Sequence, residues 1–401
     1  MKNPLIIVLI LLVLLGSCFF LIANCGGREI VQTTDNNTVK GWQVVGTPGF
    51  SSGEARNIKL VINRGVPYVA YFDMINGEHV TAMKFDGASW ETVGPPGFSD
   101  TDGSSLGFCF YNDIPYIAYD AYYSVITNKQ SIGRGQVMKF NGVTWENQSN
   151  NGIVDAAIYY MAFTIANGTP YFAYSKIGFQ LSVLIFDGTN WTVVGKQNFS
   201  ESFINGLSMT SYNGIPYVIY ADAAHPSTIV GGPIGIATVM KFNGSTWETV
   251  GMPGFSTGNV TSTNIFIDND TIYTAFNESG FPAVIGTDLV SKASVMKFNG
   301  VSWEYVGKPG FSADEVNSTS LFVYNGVPYV AFKDRSVPYG LDKVSVMKFD
   351  GSNWGYIGPQ GFTGTNTGEN NISLFIYNGI PYIAYRDDDN GKKVTVMKYV
   401  E

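Results

Sequence analysis

Seven tryptophans, Trp42, Trp90, Trp145, Trp191, Trp247, Trp303 and Trp354, recur through the 401-residue chain at intervals of 48, 55, 46, 56, 56 and 51. A period near 50 residues signals a repeat architecture, in which one supersecondary unit is copied and each copy buries its apolar surface against the next. The residues around each tryptophan repeat with it: "TAMKFDGASWETVGPPGFS" at 81–99, "TVMKFNGSTWETVGMPGFS" at 238–256 and "SVMKFNGVSWEYVGKPGFS" at 294–312.

Each unit reads as four short strands, a to d. In one unit these are "SLFVYNG" (320–326), "VPYVAF" (327–332), "VSVMKFDG" (344–351) and "WGYIG" (354–358). Such runs, rich in Val, Ile, Tyr and Phe and bounded by Gly, Asn or Pro, are strand signals. The "NG" and "DG" pairs between them predict tight hairpins, because those residues tolerate positive φ. In "PYIAY" (381–385) Tyr and Ala point one way and Ile and Tyr the other, so both faces are apolar. A sheet of that kind needs cover on both sides. Radial stacking of blades supplies it and leaves only short edges. The composition, 14% aromatic and 14% charged with 46 Gly, is that of an all-β, turn-rich chain.

Six complete units lie between about 57 and 358, and strands a, b and c follow over 372–400 without a d strand. The missing strand is present at the other end, in "KGWQVVG" (40–46). The prediction is an all-β, seven-bladed β-propeller of four-stranded antiparallel blades over 40–401, its ring closed by the N-terminal strand completing the C-terminal blade. Over this length the chain resembles seven-bladed β-propeller repeat proteins of the secreted or surface type, loosely kelch-like and sialidase-like. The resemblance implies a fold and says little of function. The c–d turns "FDGASW" (85–90) and "FDGTNW" (186–191) are similar to the Asp-box of sialidases, though one residue shorter between Asp and Gly. That box is structural in its own family. The six arginines, Arg28, Arg56, Arg64, Arg134, Arg335 and Arg386, offer no sialidase-like triad.

The Trp hairpin reads as inter-blade packing and "PGFS" as the start of the d-to-a crossover. Candidate chemistry lies at the end of strand b. Six residues past the strand-b Pro, or its equivalent, stand Asp73, Ala121, Lys176, Asp222, Glu278, Asp334 and Asp387, with Asp120 one place early. Ring symmetry puts the five carboxylates Asp73, Asp222, Glu278, Asp334 and Asp387 on one face, near the b–c loops. Four roles suit them: oxygen ligands for Ca²⁺, hydrogen bonds to sugar hydroxyls, the facing carboxylates of a glycoside hydrolase, or plain turn acceptors for backbone N–H. The b–c loops of blades 2, 4 and 5 are long, which marks the same face for ligand binding. The two histidines, His79 and His225, also fall in b–c loops, but no zinc set or Ser-His-Asp triad forms around them.

The N-terminus reads as an export signal, with Lys2 ahead of the apolar run 5–15. "LGSC" ends at Cys18 and "IANC" at Cys25, both lipobox-like. Lipid attachment at Cys25, with Cys18 as the alternative, gives a signal and anchor over 1–25 and a flexible tether over 26–39. Residues 5–24 are also long enough to remain as a membrane-spanning helix. The third cysteine, Cys109, has no partner in the folded region. A formal net charge of −8 without a Lys/Arg cluster excludes nucleic acid as a partner. The expected function is that of a monomeric, membrane-anchored binding module on the extracellular or periplasmic side, taking a glycan or a surface protein. No cofactor is expected beyond Ca²⁺ at the carboxylates. The alternatives are a carbohydrate-active enzyme using those carboxylates, and a structural surface protein without a small ligand.

Overall fold

Turn chemistry sets the repeat. Between strands a and b both central residues take positive φ, as with Asn325 (51°) and Gly326 (77°), or Asn112 (47°) and Asp113 (63°). This is the type I′ geometry that Gly, Asn and Asp adopt most readily. Between strands c and d a side-chain oxygen folds back on the turn. Asp86 Oδ1 accepts the Ala88 and Ser89 N–H at 2.8 and 2.7 Å, and Asn299 Oδ1 accepts those of Val301 and Ser302 at 2.9 Å each. Asp and Asn interchange there because only an acceptor oxygen is required. The similarity to the Asp-box is therefore one of turn geometry.

The computed structural model describes residues 40–124, 131–149, 153–154, 158–176, 180–228, 234–284, 288–336, 339–364 and 372–401. The compact unit Lys40–Glu401 consists of seven four-stranded antiparallel sheets. Blade 1 is Ala55–Asn63, Val66–Asp73, His79–Phe85 and Trp90–Thr92, in the order a-b-c-d. Blades 2 to 6 repeat it, their strands a being Leu106–Tyr111, Ile158–Ala166, Ile204–Tyr212, Val260–Asp268 and Val316–Tyr324. Blade 7 takes Ile372–Tyr377, Ile380–Asp387 and Lys393–Val400 from the C-terminal end and Gly41–Val44 from the other, with Trp42 opposite Tyr399. The ring closes as the sequence predicts. Strand a of each blade lies against strand a of its neighbours and so lines the axis, while the short strands d form the rim.

The repeated motif holds blade to blade. Each indole Nε1–H donates to a carbonyl just past strand d of the preceding blade: Trp90 to Val45, Trp145 to Val93, Trp191 to Gln148, Trp247 to Val194, Trp303 to Val250, Trp354 to Val306, and Trp42 to Ile357 across the closure, at 2.7–3.0 Å. The crossover Phe stacks on the same indole, with centroids 4.1 Å apart for Phe50 and Trp90 and 4.0 Å for Phe311 and Trp354. The crossover Ser accepts a strand-c N–H, as Ser99 does from Val80 at 2.8 Å and Ser256 from Ala237 at 2.9 Å. Blade 2, without "PGFS", keeps that bond through Ser149 and Val137 N at 2.6 Å.

Two stretches that read as long loops depart from the expectation. In blade 2 the b–c ladder continues to Ser124 opposite Ser131, and in blade 5 to Pro282 opposite Leu289. The strands run on because paired backbone satisfies N–H and C=O groups that a loop would leave to water. Residues 229–233 of the blade 4 loop, and the N-terminal segment with Cys18 and Cys25, lie outside the described residues. No helix among the described residues is long and apolar enough to cross a membrane.

Candidate functional site

The strand register puts Asp73, Asp222, Glu278 and Asp334 at one place, opposite Ala55, Ile204, Val260 and Val316 at the start of strand a. Asp387 ends strand b of blade 7, and all five side chains are buried. Each is held by its own surroundings. Asp73 accepts from Ile75 N, Asn76 Nδ2 and Thr81 Oγ1 at 3.3, 2.8 and 3.1 Å. Asp222 accepts from Ala224 N at 3.1 Å and Thr238 Oγ1 at 3.2 Å. Glu278 accepts from Thr257 N, Gly258 N, Ser294 Oγ and Tyr305 Oη at 2.9, 3.0, 2.7 and 2.6 Å. Asp334 takes Ser336, Ser345 and Gln360, and Asp387 takes Asn390 and Thr395.

The strand-c hydroxyl in each set also accepts the glycine N–H of the crossover. Gly97 donates to Thr81, Gly254 to Thr238, Gly310 to Ser294, Gly361 to Ser345 and Gly49 to Thr395, at 2.8–2.9 Å. A relay of N–H, hydroxyl and carboxylate thus pins every such crossover to the end of strand b. Of the roles read from the sequence, turn acceptor is the one this geometry performs. The five carboxylates share a face, each with hydrogen-bond partners of its own. Among the described residues no group of three His, Cys, Asp or Glu is placed to hold a metal ion.

Blade 2 carries a variant of the relay. Ala121 holds the ring position, and Asp120 accepts from Ser104 N, Ser104 Oγ and Ser105 N at 2.7, 2.6 and 2.6 Å. Its strand a pairs without a register shift, as does that of blade 7, so the one-residue displacement of the carboxylate is particular to the blade 2 sequence. Burial pushes the Asp120 carboxyl up to about 6, outweighing the hydrogen bonds that favour its charged form. Lys176 pairs with Ile158 and joins no carboxylate set.

His225 stands where Asn76 and Asn390 stand in blades 1 and 7, three residues past the ring carboxylate. Its Nδ1 lies 3.1 Å from Asp222 Oδ2, with the side chain 32% exposed. The Asn residues donate to the carboxylate in the same way, so the position is structural. The imidazole adds a second nitrogen that an amide lacks. His79 pairs in register with Asp73 and is not part of this arrangement.

Function in a repeat protein concentrates where the repeat is broken. Two aromatic side chains among the described residues are exposed, Tyr159 at 55% and Phe203 at 37%. Both stand at the loop-face start of strand a, beside the axis, in adjacent blades 3 and 4. Tyr159 meets Tyr160 edge to face with centroids 4.7 Å apart, and Asn205 Nδ2 donates to the carbonyl of the exposed Ile234 at 2.9 Å. The second break lies deeper. Opposite each strand-b Ala or its equivalent, strand a carries Gly107, Ala162, Ser208, Asn264, Ser320 or Ser373, but blade 1 carries Lys59. Lys59 is exposed to solvent, and desolvation by the surrounding strands lowers its ammonium below the usual lysine range. Neither break was evident from the loops. Aligning strand a across the seven units displays Lys59 as the one charge in its row.

On the opposite face, clefts of about 700, 450 and 270 Å³ open between blades 1 and 2, 4 and 5, and 6 and 7. Cross-strand rows such as Tyr68, Lys84 and Glu91 wall them, with Lys84 Nζ 2.9 Å from Glu91 Oε1.

No known family and no curated protein matches the sequence. Solved structures match the fold. The PL25 ulvan lyase bound to -[GlcA(1-4)Rha3S]- is 14% identical, with a TM-score of 0.54 over 88% of this chain and 94% of its own. The polysaccharide lyase Uly1 is 9% identical, with a TM-score of 0.53 over 86% of this chain and 90% of its own. At such identities the likeness is one of fold, and the chain stands beside these lyases as a seven-bladed β-propeller.

Proposed function

We propose that the protein is an exported glycan-binding propeller whose sugar lies on the loop face, over Tyr159 and Phe203. The observation that carries this reading is that the two exposed aromatic rings among the described residues stand on adjacent blades beside the axis. A sugar ring presents a C–H face that packs on an aromatic plane, and the amide and hydroxyl groups around that plane fix its orientation. Thr261 and Asn317, the second residues of strands a in blades 5 and 6, supply such groups. Lyases of the same fold act on polysaccharides, which makes glycans the first class to test. A glycan array with the full chain, purified in detergent, is the test. Selective binding that Tyr159→Ala or Phe203→Ala weakens by about tenfold, with folding unchanged, supports the reading. Equal binding by both variants sinks it.

A second reading, a carbohydrate-active enzyme, is favoured by the Asp222–His225 pair. A carboxylate on Nδ1 directs Nε2 outward, the arrangement of a general base. Incubation with a polysaccharide panel, followed by reducing-end release and unsaturated-product absorbance, decides it. His225→Asn reproduces blades 1 and 7, so loss of activity in that variant would be chemical rather than structural. Export and attachment through Cys25, or Cys18 in its place, belong to the same proposal; mass spectrometry of the membrane-extracted chain would show the lipid and its position.

A further inference from the structure

We propose that the face opposite the loops carries two equivalent sites for neutral sugars, one around Asp113 at the seam of blades 1 and 2 and one around Asp270 at the seam of blades 4 and 5. These sites lie at the other end of the strands from Tyr159 and Phe203 and do not rest on the loop-face reading.

The a–b turns mark the two seams. Their second residue is Gly65, Gly168, Gly214, Gly326 or Gly379 in five blades, and Asp113 or Asp270 in blades 2 and 5. All seven take positive φ, 63° at Asp113 and 64° at Asp270. Gly holds that conformation freely, whereas a residue with a Cβ is strained in it. At Gly168 and Gly214 the preceding blade also fills the space: a Cβ would stand 2.8 Å from the Tyr111 ring and 2.4 Å from Asn167 Nδ2. Ahead of blades 2 and 5 the seam is open instead, as the clefts of about 700 and 450 Å³ that Asp113 and Asp270 line. The smaller cleft of about 270 Å³ has Gly379 at this position. Strain at the turn and the two largest openings therefore fall in the same two blades.

The two clefts are copies. Every residue lining the one of about 450 Å³ has its counterpart in the one of about 700 Å³. Tyr68 pairs in register with Lys84, and Tyr217 with Lys241. The two ammonium groups meet Glu91 and Glu248 of strand d at 2.9 and 3.3 Å. Burial pushes the Tyr217 phenol up; Lys241 opposes that shift and Asp270 adds to it, so both charges act at the one hydroxyl. Asp113 bonds to the Arg64 guanidinium and, at 3.2 Å, to Asn63 Nδ2 across the seam. Asp270 has no hydrogen-bond or ion-pair partner among the described residues. Stitching blade to blade is thus not the property the two aspartates share.

The lining selects a neutral ligand rich in hydroxyls. With the strand-d partners of the lysines included, each cleft sets three carboxylates against two ammonium groups, Lys84 and Lys139 in one and Lys241 and Lys297 in the other. An anion meets the excess carboxylate, and a cation meets the two lysines. A carboxylate can accept from two neighbouring hydroxyls at once, while ammonium and phenol groups donate to their oxygens. Pro115 and Phe140, or Ile272 and Phe298, add apolar surface for the C–H edges of a sugar ring. Two such sites on one face make the chain bivalent toward a repeating or branched glycan.

Asp113→Gly and Asp270→Gly test the sites without disturbing the fold, because they write the turn that the other five blades use. The assays are an array of neutral glycans, run with the full chain in detergent, and titration with a soluble oligosaccharide that the array selects. Relative to the wild type, each single variant should lose one site per chain and the double variant two. On the array each single variant should weaken by about tenfold or more, as avidity falls with the second site. Guanidinium midpoints should stay close to wild type. Carbodiimide labelling of Asp113 and Asp270, read residue by residue by mass spectrometry, should slow by about fivefold or more with the selected oligosaccharide. A wild type that binds no neutral glycan overturns the proposal, as does a double variant that binds like the wild type or labelling that the oligosaccharide leaves unchanged at both residues. Binding lost in the double variant but insensitive to Tyr159→Ala and Phe203→Ala would uphold the seam sites and remove the loop-face reading. Binding lost in those aromatic variants and kept in the double variant would do the reverse.

Discussion

Glu278→Gln tests whether the ring carboxylates are clamps or ligand groups. The substitution keeps shape and removes charge. Oε1 would still accept from Thr257 N, Gly258 N and Tyr305 Oη, now as a neutral oxygen. Oε2 would become an amide nitrogen aimed at Ser294 Oγ, which already accepts the Gly310 N–H at 2.9 Å. Weakening three charge-assisted bonds costs about 0.5–1 kcal/mol each, and leaving the Ser294 O–H without its acceptor about 1 kcal/mol. Relief of the buried charge offsets part of that, leaving a destabilisation of about 2 kcal/mol. Burial and the Glu278 charge push the Tyr305 phenol up, so its hydroxyl stays a donor throughout the accessible pH range. Guanidinium unfolding of the full chain, followed by tryptophan fluorescence, measures the effect. The expected result is a lower midpoint with ligand binding and any Ca²⁺ response unchanged. An unchanged midpoint with binding lost would refute the clamp argument.

Three further outcomes follow from the same geometry. Trp303→Phe keeps the ring stack on Phe255 but leaves the Val250 carbonyl without its 2.7 Å donor, and should cost about 1–2 kcal/mol in equilibrium unfolding. Asp120 has its folded-state pKa raised to about 6 from the ordinary aspartate value of 3.8, so its stabilising contribution is complete below the lower value and lost as pH rises through the upper. Unfolding midpoints at pH 4 and pH 7 should therefore favour the acidic sample by up to about 3 kcal/mol relative to Asp120→Asn, which removes the dependence. Desolvation pushes the Cys109 thiol up to about 12, so iodoacetamide at pH 8 should label this partly buried residue at least about a hundredfold more slowly than a free thiol.

The fold was legible because its determinants are local and copied. An Asn-Gly pair writes its turn wherever it falls, and seven tryptophans at one place in the unit can only mean one contact made seven times. The closure was legible by counting strands. The carboxylate ring was legible as a pattern, but its role was not: the donors to Glu278 come from Thr257, Ser294 and Tyr305, spread over 49 residues of sequence that only the blade brings together. Sequence reading also favoured the long loops of blades 2, 4 and 5, where two of the stretches are continued ladder. Tyr159 and Phe203 escaped notice because aromatic residues abound in this chain and exposure is not written in residue type. Lys59 escaped because its meaning depends on what the other six blades place beside the axis.

Closure by Gly41–Val44 also has a mechanical side. The strand is four residues long, pairs with Lys393–Val400 alone, and is the point where the chain enters the ring. Tension transmitted from the preceding segment would therefore act first on this strand and on the Trp42 bond to Ile357, before any continuous blade is loaded. Such a ring fails by opening at one seam and keeps six blades intact when it does. The closing strand is thus the one place where the ring is joined by pairing between the two ends of the folded chain rather than by continuous backbone.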